Sequence, residues 1–302
     1  MVRCHRNAAV GSDGCDRHYS RPRIPGAGAE GRGARPAPAT RFPCSLKSVR
    51  LVDLARSLRP DGLLDGLVCC YGDRWGGVSG GPYSSLNLGF STGDDADAVR
   101  ENRRRFTAAA GLTLDDVVVA GQVHGRAVVL VDRQHRGEGA REPSTQLSDR
   151  DVVILSEPQV FALALAADCP LVAIADPRSR RAGVAHCGWR GIVAGALGQL
   201  LEQLDPGPEA VAMISPAISA ANYPVGPEVH EALEGLTGAE SARHGQGVDL
   251  RQMLRSQLLE AGVSQLRIAV DPRCTAADGD LFSYRRDRGC TGRGGLLLGW
   301  KY

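Results

Sequence analysis

The sequence predicts a mixed α/β (α+β) protein in which helices cover β-sheets. With 302 residues, 43% of them hydrophobic, the chain can bury one large core. Short apolar runs typical of buried strands alternate with helical patterns. No apolar run reaches the roughly 18 to 20 residues that a transmembrane helix requires, and no secretory signal is recognisable. We therefore expect a cytoplasmic protein with no membrane partner.

Nine apolar runs are expected to form strands. They lie at 66–71, 117–123, 127–131, 152–155, 160–165, 171–175, 182–185, 211–214 and 266–270. Four helical patterns follow at 94–110, 189–204, 228–236 and 250–261. The first begins with acidic residues, Asp94, Asp95 and Asp97, and later carries Arg103, an order that the helix dipole favours.

Residues 1–45 are rich in Arg, Gly, Pro and Ala and show no sustained apolar period. Such a segment cannot bury enough surface to offset its chain entropy. We therefore expect a disordered extension at 1–45 and one folded domain at 46–302. Its Cys4-His5 and Cys15-x-x-His18 pairs match no standard zinc-finger spacing, so the disordered extension is the favoured interpretation.

Charge and cysteine content exclude two classes of protein. Residues 1–50 carry a net charge of +7 and the remainder −5, so the folded part is mildly acidic and gives no support to nucleic-acid binding. The nine cysteines are sparse for a disulfide scaffold and include an adjacent pair, Cys69 and Cys70. We expect mostly reduced thiols.

Three potential metal ligands, His124, Cys169 and His186, each end an apolar run beside a Gly or Pro. If these runs are neighbouring strands of one sheet, the three side chains gather along one edge. The spacings of 45 and 17 residues form no local metal motif, so a buried cysteine and two core histidines remain an alternative. Asp168 is a candidate to hold a histidine N–H, or it points away.

Several separated blocks resemble the laccase-domain family, also called the multicopper polyphenol oxidase or YfiH-type family. They occur in the family's order over roughly residues 65–302. They are Trp-Gly-Gly-Val-Ser-Gly-Gly-Pro-Tyr-Ser-Ser-Leu-Asn-Leu-Gly at 75–89, Gln-Val-His-Gly at 122–125, Ala-Asp-Cys at 167–169, His-Cys-Gly-Trp-Arg-Gly at 186–191, Cys-Thr at 274–275 and Phe-Ser-Tyr-Arg-Arg-Asp at 282–287.

The resemblance implies a single-domain, four-layer α/β/β/α sandwich with mixed β-sheets. It also implies a catalytic zinc held by His124, Cys169 and His186. Three protein ligands would leave the fourth tetrahedral position open for a water whose pKa falls toward ~7.

Other matched residues are candidates for binding substrate or phosphate. Arg190, Arg285 and Arg286 can clamp a phosphate in fork geometry, or merely solubilise the surface. Asn87 can orient substrate or cap a turn. The Gly-rich loop at 76–81 can cradle an anion with its N–H groups, or form only turns.

The block at 215–226 departs from the family pattern. Ser215 and Ser219 replace glycines, Ala221 replaces a cysteine and Pro224 replaces a glutamate. Because serine resists a positive φ, we expect this loop to run differently and to reshape a substrate wall. Cys187, which replaces an alanine, is either a packing residue or a fourth soft ligand.

The resemblance implies a zinc-dependent purine nucleoside phosphorylase acting on adenosine, inosine and methylthioadenosine, with an adenosine deaminase side activity. Its partners would be nucleoside and phosphate, and the protein a monomer or weak homo-oligomer. A zinc-bound water suits deamination, and arginines suit the phosphate.

Four alternatives remain open. The same zinc site fits an amidase that edits peptidoglycan precursors, and Cys169 with His186 fits a metal-free hydrolase. The divergent 215–226 block fits an inactive binding scaffold. A copper-dependent phenol oxidase, which the family name suggests, is less favoured, because one cysteine and two histidines cannot build a multinuclear copper centre.

Overall fold

Two mixed β-sheets lie face to face in the computed structural model, which describes residues 48–58 and 62–302. The predicted extension at 1–45, with its Cys and His pairs, lies outside the described residues, so its disorder stays a prediction. Within the described part, no helix has the length and apolar character to cross a membrane. None of the six described cysteines forms a disulfide.

The smaller sheet has five strands in the order β1-β2-β13-β6-β3, and the larger has six in the order β12-β9-β7-β8-β5-β4. The smaller sheet consists of β1 (Leu51–Asp53), β2 (Leu67–Gly72), β3 (Val117–Val118), β6 (Phe161–Ala166) and β13 (Gly294–Trp300). The larger consists of β4 (Val128–Val131), β5 (Val152–Leu155), β7 (Leu171–Ala175), β8 (Ala182–His186), β9 (Val211–Ile214) and β12 (Ile268–Val270). Parallel and antiparallel pairs occur in both sheets, which makes them mixed, as expected.

Six α-helices and one short hairpin accompany the two sheets in the described part of the fold, together with short 3-10 helices. The helices are α1 (Ala96–Ala109), α2 (Trp189–Ala194), α3 (Ala196–Leu204), α4 (Pro227–Leu233), α5 (Ala239–Ala242) and α6 (Leu250–Glu260). The hairpin pairs β10 (Arg243–His244) with β11 (Gly247–Val248).

Alternation of side chains along the strands produces three apolar layers. Tyr71 and Leu296 of the smaller sheet meet Val184 of the larger sheet in a core between the sheets. Ile174 lies on the outer face of the larger sheet and packs with residues of α3, α4 and α6. Phe106 of α1 covers the outer face of the smaller sheet. The α/β/β/α sandwich is therefore confirmed.

Every predicted strand overlaps an observed one, but two elements differ in extent. The run at 117–123 is a strand only at Val117–Val118. Beyond it, the amides of Val119 and Gly121 donate to carbonyls of the loop around Glu138 and Leu147 instead of a strand. The helix predicted at 189–204 is two helices, because the chain turns at Gly195 in the left-handed region.

The sequence analysis missed β13, the central strand of the smaller sheet. Its three glycines lower the β-propensity by which a strand is recognised. The structure explains Gly294, since a Cβ there would lie 2.5 Å from the hydroxyl oxygen of Tyr71. The short strands β1, β10 and β11 carry no period long enough to detect.

We predict that Gly294→Ala lowers the free energy of unfolding by about 1 to 3 kcal/mol, because the added methyl overpacks the core against Tyr71. Urea denaturation measures this change. The matched control is Gly198→Ala in α3, where a Cβ would meet no atom within 4 Å. The control should leave stability unchanged or raise it by up to about 1 kcal/mol. Equal stability of Gly294→Ala and the wild type would contradict the proposed close packing.

Candidate metal centre

The fold brings His124, Cys169 and His186 together. Their three ligand atoms all lie within 4.8 Å of one another, and no other such group of three occurs in residues 48–58 and 62–302. The His124 Nε2 atom is 4.0 Å from the Cys169 Sγ atom. In a tetrahedral zinc site, ligand atoms stand about 3.3 to 3.6 Å apart. The donor set can therefore close on one metal ion with small side-chain movements.

These ligands come from both sheets, which corrects the expectation of a single sheet edge. His186 is the last residue of β8 in the larger sheet. Cys169 lies between β6 of the smaller sheet and β7 of the larger, and His124 follows β3 of the smaller sheet. Because the sheets stack face to face, strand ends of two layers meet at the site.

Asp151 positions two of the three ligands. Its carboxylate is buried, and its Oδ1 accepts a hydrogen bond from His186 Nδ1 at 2.9 Å. The same carboxylate accepts the backbone N–H groups of Val123, His124 and Gly125 at 2.7 to 3.1 Å. His186 therefore turns its Nε2 toward the site, and His124 is held in the left-handed region at φ 63°.

Asp168 does not hold a histidine. Its carboxylate accepts hydrogen bonds from Thr275 Oγ1 at 2.6 Å and from the Arg285 backbone N–H at 2.7 Å. Its φ of 92° turns the chain immediately before Cys169. Asp168 therefore connects the Cys169 turn to two C-terminal segments. The role that we expected of Asp168, holding a histidine N–H, belongs to Asp151.

Cys169 and His186 shift each other's pKa. Burial raises the pKa of Cys169, but the His186 charge and hydrogen bonds from both histidines outweigh it and lower that pKa to about 6. Burial lowers the pKa of His186, yet the charge of Cys169 and the hydrogen bond to Asp151 raise it to about 9. Both shifts favour a thiolate and an imidazolium in the metal-free site, and metal binding would release the imidazolium proton.

Space at the site depends on Gly188. A Cβ on this residue would lie 2.8 Å from Cys169 Sγ and 3.1 Å from His124 Cδ2. A side chain there would therefore displace two ligands. The neighbouring Cys187 is fully buried on the opposite side of the chain, within the core that the helices cover. Burial raises the pKa of its thiol, which fits a packing role and not a fourth ligand.

The comparisons with known proteins agree with this architecture. The family model described as multi-copper polyphenol oxidoreductase laccase matches residues 68–301. The chain belongs to this laccase family. Its most similar solved structures include YlmD from Geobacillus stearothermophilus, with a TM-score of 0.75 and 34% identity over 80% of this chain and 94% of that one.

Two curated relatives in this family carry purine nucleoside phosphorylase names. Purine nucleoside phosphorylase Rv2149c of Mycobacterium tuberculosis is 40% identical over 222 residues, which are 71% of this chain and 84% of the relative. Purine nucleoside phosphorylase YfiH of Escherichia coli is 36% identical over 76% of this chain and 91% of its own length.

Within this laccase-family site, the predicted phosphate-binding arginines separate into two kinds. All five guanidinium N–H groups of Arg286 are used by the protein, in bonds to Asp287 and to three backbone carbonyls. Contrary to expectation, Arg286 has no donor left for a phosphate. Arg190 and Arg285 are exposed, and their guanidinium groups stack on Trp189 and Tyr223 at 4.4 and 4.8 Å.

Asn87 and the Gly-rich loop are engaged by the protein itself. Asn87 is fully buried, and its amide bonds to backbone groups of Gly89 and Arg293 and to side chains of Thr92 and Asp94. This arrangement fits a structural role, not contact with substrate. In the loop, the N–H groups at 77–79 all donate to protein oxygens, which leaves none of those three for an anion.

The divergent 215–226 block keeps an ordinary backbone. Neither Ser215 nor Ser219 has a positive φ, so the expected conflict with serine does not arise. Ser215 is buried, and its hydroxyl bonds to the backbone of Leu171 and Pro216. Tyr223 of this block was not singled out from the sequence. Burial and the nearby Cys169 charge raise the pKa of Tyr223 to about 12, so it stays a neutral phenol beside the site.

We predict that Asp151→Asn weakens metal binding about 10- to 100-fold, because an amide cannot hold His186 and three N–H groups with a full charge. Competition with a chromophoric chelator measures the zinc Kd. The control is Asp132→Asn, which alters a similar Asp–His pair, with 2.8 Å to His135 Nδ1, outside the site. An unchanged Kd in Asp151→Asn would show that the carboxylate does not position the ligands.

Proposed function

We propose that this protein is a zinc-dependent purine nucleoside phosphorylase acting on adenosine, inosine and methylthioadenosine, with adenosine deaminase as a side activity. The observation that carries the proposal is the convergence of His124, Cys169 and His186 within 4.8 Å. The names of relatives that are 36% to 40% identical support the phosphorylase activity.

The donor set favours zinc. One thiolate and two imidazoles are typical zinc ligands, and a set of three keeps one coordination position open for catalysis. A multinuclear copper centre would need more ligands than this group offers. When bound, zinc would supply a Lewis acid and a water with a pKa near ~7, which suits deamination of adenosine.

For phosphorolysis, a phosphate oxygen forms a bond to C1′ of the ribose while the bond from C1′ to the base nitrogen breaks. The base leaves with a proton, and the products are the free base and ribose 1-phosphate. The chain's own part is to attract and orient the anion, for which Arg190 and Arg285 offer exposed charge. Tyr223 adds a neutral hydroxyl donor beside the ligands.

A second candidate is favoured by one observation: Cys169 Sγ and a ring nitrogen of His186 lie within 4.8 Å of each other. Such a pair is the arrangement of a cysteine nucleophile with its base. Asp151 behind His186 would complete a Cys–His–Asp hydrolase that needs no metal.

Phosphate dependence tests the proposed reaction. We expect release of hypoxanthine from inosine only when inorganic phosphate is present, together with ribose 1-phosphate in equal amount, since arginines at the site have no comparable role in hydrolysis. Chromatography of both products measures this. Equal base release in phosphate-free buffer, with free ribose as the product, would favour a hydrolase.

Metal removal separates the two candidates. A strong chelator should inactivate the wild type and zinc should restore it, and Cys169→Ser should lose zinc and activity together, because two imidazoles bind zinc weakly. Zinc per chain and turnover are measured before and after chelation. Cys274→Ser is the control, because this thiol is not one of the three ligands. Full activity in the metal-free wild type would support the cysteine hydrolase.

A further inference from the structure

Arg293 is a half-buried cation for which no carboxylate partner is found among residues 48–58 and 62–302. Its Nη1 donates to the carbonyls of Thr291 and Gly292 at 3.1 and 3.2 Å. Two other half-buried arginines, Arg273 and Arg286, do pair with aspartates. Burying a charge without a counterion is unfavourable, so such a group is a natural partner for an anionic ligand.

Hydrogen bonds of its own backbone, and close packing of its Cγ, hold Arg293 in place. Its backbone N–H donates to the buried Asn87 Oδ1 at 2.8 Å, and its carbonyl accepts from the Leu88 N–H at 3.0 Å. Its Cγ packs so closely on Gly89 that a Cβ there would lie 2.8 Å away. The buried Asn87 network therefore fixes where the guanidinium can reach.

The guanidinium lies beside the segment that contacts the Cys169 turn, because it stacks on Tyr284 and the next residue, Arg285, donates its backbone N–H to Asp168. Burial lowers the pKa of Arg293, while the charges of Tyr284, Cys169 and Asp168 act in the opposite direction. Its Cζ is 5.7 Å from the centre of the Tyr284 ring, and Tyr284 is 54% exposed. Arg293 thus lies against an exposed aromatic ring in the segment that also contacts Asp168, the residue before Cys169.

We propose that Arg293 binds inorganic phosphate at this site, through the Nε and Nη2 donors that form no bond within the described chain. Two adjacent N–H groups in a rigid fork match two oxygens of one phosphate. Arg190 and Arg285 are exposed, and solvent screens their charge more strongly. The inference rests on the proposed phosphorylase function for the role of the phosphate, but its binding can be measured independently.

The test compares Arg293→Met, Arg293→Lys and the wild type, all zinc-loaded. Methionine keeps an apolar stem against Gly89 without the charge, whereas lysine keeps the charge without the fork. We expect Arg293→Met to raise the KM and Kd for phosphate by about tenfold or more, with the KM for inosine within about twofold. Arg293→Lys should fall between Arg293→Met and the wild type.

The matched control is Arg180→Met, because Arg180 also stacks on an aromatic ring, that of Trp300, and donates to a carbonyl. It should keep wild-type phosphate constants. Melting temperature and zinc content show whether each variant is folded and loaded. If Arg293→Met does not fold, Arg293→Lys tests the proposal alone. A several-fold weaker phosphate Kd in Arg293→Lys would support phosphate binding by the Arg293 fork, and an unchanged Kd would contradict it.

Calorimetric titration with inorganic phosphate separates the two proposals. Arg293-dependent phosphate binding in a protein without phosphorolysis would support the anion site and refute the phosphorylase. Phosphorolysis with an unchanged phosphate KM in Arg293→Met would support the phosphorylase and refute the anion site at Arg293. Absence of phosphate binding by the wild type, or Arg293 dependence only for inosine 5′-monophosphate, would overturn the assignment to free phosphate.

Discussion

The buried carboxylate of Asp151 is the constraint on which the site depends. It accepts hydrogen bonds from three consecutive backbone N–H groups at 123–125 and from the ring N–H of His186. It thereby joins a loop that leaves the smaller sheet to a strand end of the larger sheet. Without this anion, no hydrogen bond to its carboxylate would offset the strain of the left-handed backbone at His124. The candidate metal ligands are thus positioned by hydrogen bonds to this carboxylate as well as by the sandwich itself.

The ligand geometry supports two chemistries that differ only in what fills the site. Burial opposes ionisation of Cys169, but the charge of His186 helps to outweigh it and lowers the pKa of the thiol, which favours the thiolate that either a metal or nucleophilic attack requires. Gly188 leaves room beside the sulfur for either. The third ligand favours the metal, because a cysteine nucleophile needs only one histidine as its base.

Hydrogen-bond partners, not residue type, distinguish the arginines around the site. Arg286 donates every N–H to the protein and supports the C-terminal loop. Arg293 keeps its Nε and Nη2 donors unbonded in the described chain, and its backbone N–H donates to Asn87 Oδ1. Arg286 therefore has a structural role, whereas Arg293 keeps two guanidinium donors for a ligand. Asn87 belongs to the same arrangement as a positioning residue.

By itself, the sequence determined the α/β class, the apolar strands and the types of the three ligands, because side-chain periodicity and ligand chemistry are local properties. Only the tertiary structure decided that His124, Cys169 and His186 meet, since strand ends of two stacked sheets bring them together across 45 and 17 residues. Asp151 carried no signal, because its partners lie 27 and 35 residues away. The central strand β13 was missed for a related reason. Its glycines leave space for neighbours such as Tyr71, and no local sequence pattern shows where those neighbours lie.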